Sequence, residues 1–159
     1  MTRRDVDNGS LEEIQRQTFT QATELTRTAY PRQNRLSGTQ LAAYLQRRSF
    51  AVVSSCRPDG RPHAVVTSFA QRGTRFWLPM GAGSVRERNV KGSPWLSLVV
   101  TEGDRKRHIA VIIEGLACVA APSDVPSDLT DELGGAWVGA WLRLDAQRVL
   151  SYASDGALP

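Results

Sequence analysis

The chain has 159 residues, 41% of them apolar and 23% charged, a composition suited to one folded domain with one core and unlike a disordered or fibrous chain. Its longest apolar stretch, residues 109–121, is interrupted by Glu114 and too short to span a bilayer, and the N-terminus lacks the apolar segment of a secretory signal. The net charge of +4 is unevenly spread, with 10 basic against 4 acidic residues over 51–108 but 2 against 7 over 109–159, so an anionic ligand is expected in the middle third.

Two cysteines, Cys56 and Cys118, are too few for a disulfide framework or a zinc cluster, and both sit in apolar runs as small core hydrophobes. These features together imply a cytoplasmic protein without membrane association.

Residues 1–9 are polar and expected to be disordered. Residues 10–29 read as one amphipathic helix, with Leu11, Ile14, Thr18, Ala22, Leu25 and Ala29 on its apolar side, Ser10 at its cap and Pro31 ending it. A polar linker leads to Ser37-Gly-Thr-Gln40, a capping box opening a short helix that turns Leu41, Tyr44 and Leu45 inward.

After Arg48 the period becomes that of strands. Residues 50–56 form a strand, Arg57-Pro-Asp-Gly60 is turn chemistry, and residues 61–70 return as a second strand. A turn over 71–74 and a third strand over 75–79 follow. The glycine-bearing loop Met80-Gly-Ala-Gly-Ser84 feeds a helix over 85–91. Further strands are expected over 94–102 and 108–120, then a helical turn over 127–133. A last strand is expected near 136–144, with an extension over 148–152. Five or six antiparallel strands with helices at the periphery argue a small closed, mainly β barrel rather than a βαβ fold.

Enzyme motifs are sparse. The chain has no Walker loop, no Gly-x-Gly-x-x-Gly opening a βαβ unit, no His-Glu-x-x-His and no Gly-x-Ser-x-Gly. No metal site is expected, and His63 and His108 read as ordinary strand or surface histidines. The basic middle third lacks an aromatic-interleaved stripe, so no nucleic-acid partner is expected, and Arg105-Lys-Arg107 reads as a solvated hairpin tip. One segment carries chemistry: a strand and glycine-rich turn deliver Ser84 to a helix start, where N–H groups favour an anion and Arg86 and Arg88 add charged donors. The same Ser84-x-x-Glu87 spacing also serves simply as a capping box.

Five pieces in order carry a resemblance: Phe50-Ala-Val-Val-Ser-Ser55, Arg57-Pro-Asp-Gly-Arg-Pro-His63, Ser84-Val-Arg-Glu-Arg-Asn-Val90, Pro94-Trp-Leu-Ser-Leu-Val-Val100 and Ile113-Glu-Gly-Leu-Ala117. Over residues 36–152 the chain resembles the pyridoxamine 5′-phosphate oxidase-like split-barrel family, nearest its actinobacterial branch of flavin- and deazaflavin (coenzyme F420)-binding reductases. The resemblance implies a six-stranded antiparallel split barrel over 36–152, with an N-terminal tail and helix over 1–35 and a C-terminal tail over 153–159. It also implies a homodimer holding FMN, or alternatively coenzyme F420, in grooves at the dimer interface.

By the same resemblance Ser84, Val85 and the helix start hold the phosphate. Arg86, at the family's usual Lys position, and Arg88 flank it, and Asn89 matches the motif Asn. Val66, Thr67 and Ser68 with Leu78, Pro79 and Met80 wall the ring. Arg in place of Lys keeps the charge but changes its geometry, and Val65 and Val66 leave the ring to be read by backbone groups. Strand alternation turns Val66 and Ser68 to the cofactor and Val65 and Thr67 inward. The implied function is a flavin-dependent oxidoreductase acting on a small organic substrate, the cofactor performing the hydride chemistry. Catalytic residues stay unknown. The alternative is a non-catalytic flavin- or haem-binding protein on the same barrel.

Overall fold

The computed structural model describes residues 10–158, so the disorder expected over 1–9 lies outside the described residues. Helix α1 (Leu11–Gln21) starts where Ser10 Oγ accepts the Glu13 N–H at 3.2 Å. It ends earlier than its periodicity suggests. Ala22 and Thr23 are extended, and the Thr23 hydroxyl accepts the Thr26 N–H, opening a separate helix α2 (Glu24–Ala29). A hydroxyl that caps locally competes with helix continuation, so the single helix over 10–29 is two, and Leu25 lies 80% exposed. Helix α1 packs on the C-terminal strand through Thr18, whose Oγ1 accepts the Val149 N–H at 3.1 Å.

Helix α3 (Gly38–Gln46) carries the full capping box: Ser37 Oγ accepts the Gln40 N–H and Gln40 Oε1 accepts the Ser37 N–H. Leu41, Tyr44 and Leu45 are buried beneath it, as the 3.6 period predicts.

Seven strands follow, not six: β1 (Phe50–Cys56), β2 (Pro62–Ser68), β3 (Ala70–Arg72), β4 (Arg75–Met80), β5 (Trp95–Gly103), β6 (His108–Val119) and β7 (Ala140–Ala153). The added strand comes from the segment read as one. Thr67, Phe69 and Ala70 are all buried, so the inward parity switches between Phe69 and Ala70. Before the switch the chain pairs with β1, with Phe50 opposite Ser68; after it the chain pairs with β4, with Ala70 opposite Trp77. The strand order is β2-β1-β5-β6-β7-β4-β3. Two stretches consecutive in sequence therefore occupy the two ends of one antiparallel sheet, which curls to bring those ends together.

The turn over residues 57–60 forms as expected, with the Gly60 N–H on the Arg57 carbonyl and Gly60 at φ 84°, a conformation a β-carbon disfavours. The last strand departs from expectation in the other direction. Residues 135–139 are loop, and β7 runs unbroken through the extension expected separately, pairing with β6 along most of its length and with β4 over its first half.

Inside the curl lies one core, whose fully buried members include Val53, Phe76, Leu78, Met80, Leu98, Ile113 and Leu142. Helix α4 (Val85–Gly92) packs against β1 and β6. Helix α5 (Ser127–Leu133) covers Trp77 with Leu129 and is pinned by Arg72, which bonds Asp128 and Glu132.

The outer face of the sheet is apolar along one register row: Val66, Val52, Val99, Ile112 and Leu150 stand side by side across five strands. Val66 is 65% exposed and Phe50, on the adjoining row, 63%. Among the described residues no helix is long and apolar enough to cross a membrane.

Candidate functional site

The loop after β4 delivers α4 as its glycines require, with Gly83 at φ 72° immediately before the helix cap. Ser84 Oγ accepts the Glu87 N–H at 3.3 Å and lies 3.4 Å from Met80 Sδ. The Glu87 carboxylate reaches the Gly83 N–H at 2.6 Å and Lys91 at 2.8 Å; those partners hold its pKa below the usual carboxylate range. The positive end of this helix thus already faces an internal carboxylate, and the Ser84 hydroxyl is committed to the cap.

What remains open to an anion is Arg86. Its side chain points into the barrel wall and is 8% exposed. Nη2 donates to the Pro79 carbonyl at 3.2 Å, while Nη1 is buried without a hydrogen-bond partner. No carboxylate pairs with it among the described residues, and burial pushes its pKa below the ordinary guanidinium value. Burying a charge costs several kcal/mol unless it is paired, so this guanidinium is a strong electrostatic demand for an anion. Arg88, two residues on, is exposed, because positions two apart on a helix face different ways.

Around Arg86 the polar groups of three elements converge. Asn89, 2% exposed, donates from Nδ2 to Ser55 Oγ at 2.9 Å and so fastens α4 to β1. Ser55 stands opposite His63 in the β1–β2 register. His63 Nδ1 is buried without a partner, and burial together with the charges of Arg57 and Arg86 lowers the imidazole pKa. Thr67, two pleats further along β2, sets its Oγ1 3.5 Å from the same Pro79 carbonyl that Arg86 uses.

The structure thus gathers Thr67, Pro79, Arg86 and Asn89 into one cluster and sets the others around it. Val66 and Ser68 lie on the outer side of β2, and Val65 and Thr67 on the inner side. Leu78 and Met80 belong to the core, so β4 offers this cluster its Pro79 carbonyl. Val85 is half-buried at the helix start.

Sequence reasoning missed Ser55 and His63. The signal was present in the alternation, since His63, Val65 and Thr67 share one parity and Ser55 shares that of Ala51 and Val53. His108 is differently placed, stacked on Tyr152 with ring centroids 5.5 Å apart.

An orphaned buried guanidinium nitrogen, within electrostatic reach of an imidazole whose Nδ1 is also unpartnered, fits a phosphate group, which accepts several hydrogen bonds and supplies the missing negative charge. Because β2 ends the sheet, the backbone groups of its second edge have no strand partner among the described residues and suit the polar edge of a planar heterocycle.

No curated protein matches the chain. Solved structures match its fold. A conserved hypothetical protein from Mycobacterium tuberculosis is 18% identical at a TM-score of 0.67, covering 78% of this chain and 89% of that one. An FAD-binding protein from Mesorhizobium loti is 17% identical at 0.60, with 76% and 96% covered. HutZ, the haem storage protein of Vibrio cholerae, is 13% identical at 0.60, with 73% and 95% covered. At these identities the likeness is one of fold, and the fold accommodates flavin in one neighbour and haem in another. The family described as pyridoxamine 5′-phosphate oxidase matches residues 38–153, from the first turn of α3 to the last residue of β7. The chain belongs to the pyridoxamine 5′-phosphate oxidase family.

Proposed function

We propose that this protein binds FMN through Arg86 and works as a flavin-dependent oxidoreductase on a small organic substrate, as a homodimer. The observation that carries the reading is Arg86 itself, a buried cation that has no counter-ion among the described residues and one of whose nitrogens has no partner among them. In this reading Arg86 holds the phosphate, and His63 stands within its electrostatic reach. Asn89 and Ser55 keep α4 at a fixed distance from β1, and the free edge of β2 at Val66, Thr67 and Ser68 reads the ring. The flavin, when bound, supplies the hydride chemistry, while the protein supplies binding, orientation and electrostatics. The FAD-binding neighbour supports flavin, as the haem storage neighbour supports the alternative of a haem carrier. Coenzyme F420, which also carries a phosphate, is the alternative at the same guanidinium.

What supports a dimer is the outer face. A register row of five apolar residues with Val66 mostly exposed, and Phe50 mostly exposed on the adjoining row, is a surface that association would bury. A second copy there would lie against β2 and could enclose a ligand on its edge.

The test is a titration of the purified protein with FMN, and separately with coenzyme F420, followed by absorbance and fluorescence. Arg86→Ala should weaken the bound cofactor by roughly 1.5–3 kcal/mol, the scale of a hydrogen bond to a charged group, or about 10- to 150-fold. Wild-type protein that binds neither cofactor, or an Arg86→Ala variant that binds as tightly, would remove the site from α4. Turnover with NAD(P)H over quinones and enones separates an enzyme from a carrier, since a carrier's flavin is not re-oxidised by any of them.

A further inference from the structure

A groove of about 680 Å³ lies away from α4, between α1, the linker over 31–36 and the start of α3. Three arginines of the N-terminal extension, Arg27, Arg32 and Arg35, gather on this side, and none has a carboxylate partner among the described residues. Arg27 turns its guanidinium to the Ala22 carbonyl, and Arg32 is exposed.

Arg35 is held in place. Its Nε donates to the Tyr30 carbonyl at 2.7 Å, and its guanidinium lies 3.5 Å above the ring centroid of the buried Phe19. These two contacts fix the plane of the fork and leave its terminal nitrogens to a ligand, so little side-chain entropy remains to be lost on binding. Partial burial and the positive charges of Arg32 and Arg27 together lower its pKa.

Two carboxylates line the groove, and both already accept hydrogen bonds, Glu13 from Arg16 on the same lining. Glu12 Oε1 accepts the Gly38 N–H at 3.1 Å, and Glu13 accepts bonds from Arg16 at 3.0 Å and Gln17 at 2.8 Å.

We propose that this groove binds an oxyanion of two or more negative charges, a phosphate ester or a polycarboxylate, on the fixed fork of Arg35 with Arg32 beside it. The fork matches two oxygens of such a group bidentately. The charge of Arg32, three residues away, favours a multivalent ligand over a single carboxylate. The groove is built chiefly from residues preceding the family match over 38–153, so it is a feature of the extension and independent of the Arg86 reading.

The experiment uses full-length protein carrying Arg86→Ala, so that any barrel site has lost its guanidinium. Pyrophosphate and, in parallel, citrate are titrated at 0.15 M NaCl, where diffuse surface charge is largely screened. Binding is followed on the Arg35 Nε–H resonance and the backbone amides of residues 30–37. Saturable shifts with pyrophosphate alone identify a phosphate ligand, and with citrate alone a polycarboxylate; either supports the proposal. Affinity should fall at least tenfold in Arg35→Lys, which keeps the charge but loses the fork, and several-fold in Arg32→Ala, an exposed position whose loss leaves the fold intact. Absence of saturable shifts with both anions, or unchanged affinity in both variants, would overturn it.

Discussion

Asn89 on α4 and Ser55 on β1 are joined by a 2.9 Å hydrogen bond, and both residues are buried. This bond is the tie between the helix that carries Arg86 and the sheet it packs on. Asn89→Ala leaves the Ser55 hydroxyl buried without this partner, at a cost of roughly 1–3 kcal/mol. A urea unfolding midpoint reads the loss, and an unchanged midpoint would show the tie to be dispensable.

Arg86 sets stability against binding. Replacing a buried, unpaired charge with an apolar side chain of similar length removes a desolvation cost. Arg86→Met should therefore leave the ligand-free protein at least as stable as wild type while reducing FMN-induced stabilisation by about the 1.5–3 kcal/mol of binding lost. Parallel thermal melts with and without FMN test both halves. A large destabilisation of the free protein would mean that the Pro79 contact outweighs the buried charge.

His63 makes the site pH-sensitive. Burial first, then Arg57 and Arg86, depress its imidazole pKa below the ordinary value of about 6.5. The folded state thus binds fewer protons than the unfolded one between those two values. The contribution to stability is complete above about pH 6.5 and is lost as pH falls through the folded pKa. An anion on Arg86 offsets part of the positive field at His63, so binding should raise its pKa. An NMR titration of His63 with and without FMN measures this. A pKa unmoved by the ligand would place the anion elsewhere.

The outer row predicts its own weak point. Val66→Asp puts a carboxylate at the most exposed member of the apolar row, where burial against a second copy would leave it unpaired. Sedimentation should find wild type as a dimer and the variant as a monomer at the same micromolar concentration, its dimer weakened roughly a hundredfold or more. A dimer of undiminished strength would locate the interface on another surface.

Tyr44 predicts a substitution without penalty. Its hydroxyl is buried and has no partner, and burial with nearby Glu102 pushes its pKa up to about 12. Removing an unsatisfied buried group is close to neutral or favourable, so Tyr44→Phe should change stability by no more than about 0.5 kcal/mol or raise it. In an alkaline absorbance titration of the three tyrosines, the last to ionise should vanish in this variant.

The sequence by itself determined the local elements: the Ser37–Gln40 capping box, the turn ending at Gly60, the alternation of β1 and the Ser84 cap of α4. Each of these depends on residues within about four positions of one another, where propensity and hydrogen-bonding geometry act directly. The resemblance added the family and the place of Arg86 within it. The tertiary structure alone decided the rest. Residues 62–72 divide into two strands because β1 receives one half and β4 the other, which no local pattern states. Arg86 is buried and His63 stands opposite Ser55 because the curl of the sheet brings α4, β1, β2 and β4 together. A guanidinium on a short polar helix reads as solvated until the surfaces that desolvate it are known, and those surfaces come from parts of the chain far apart in sequence.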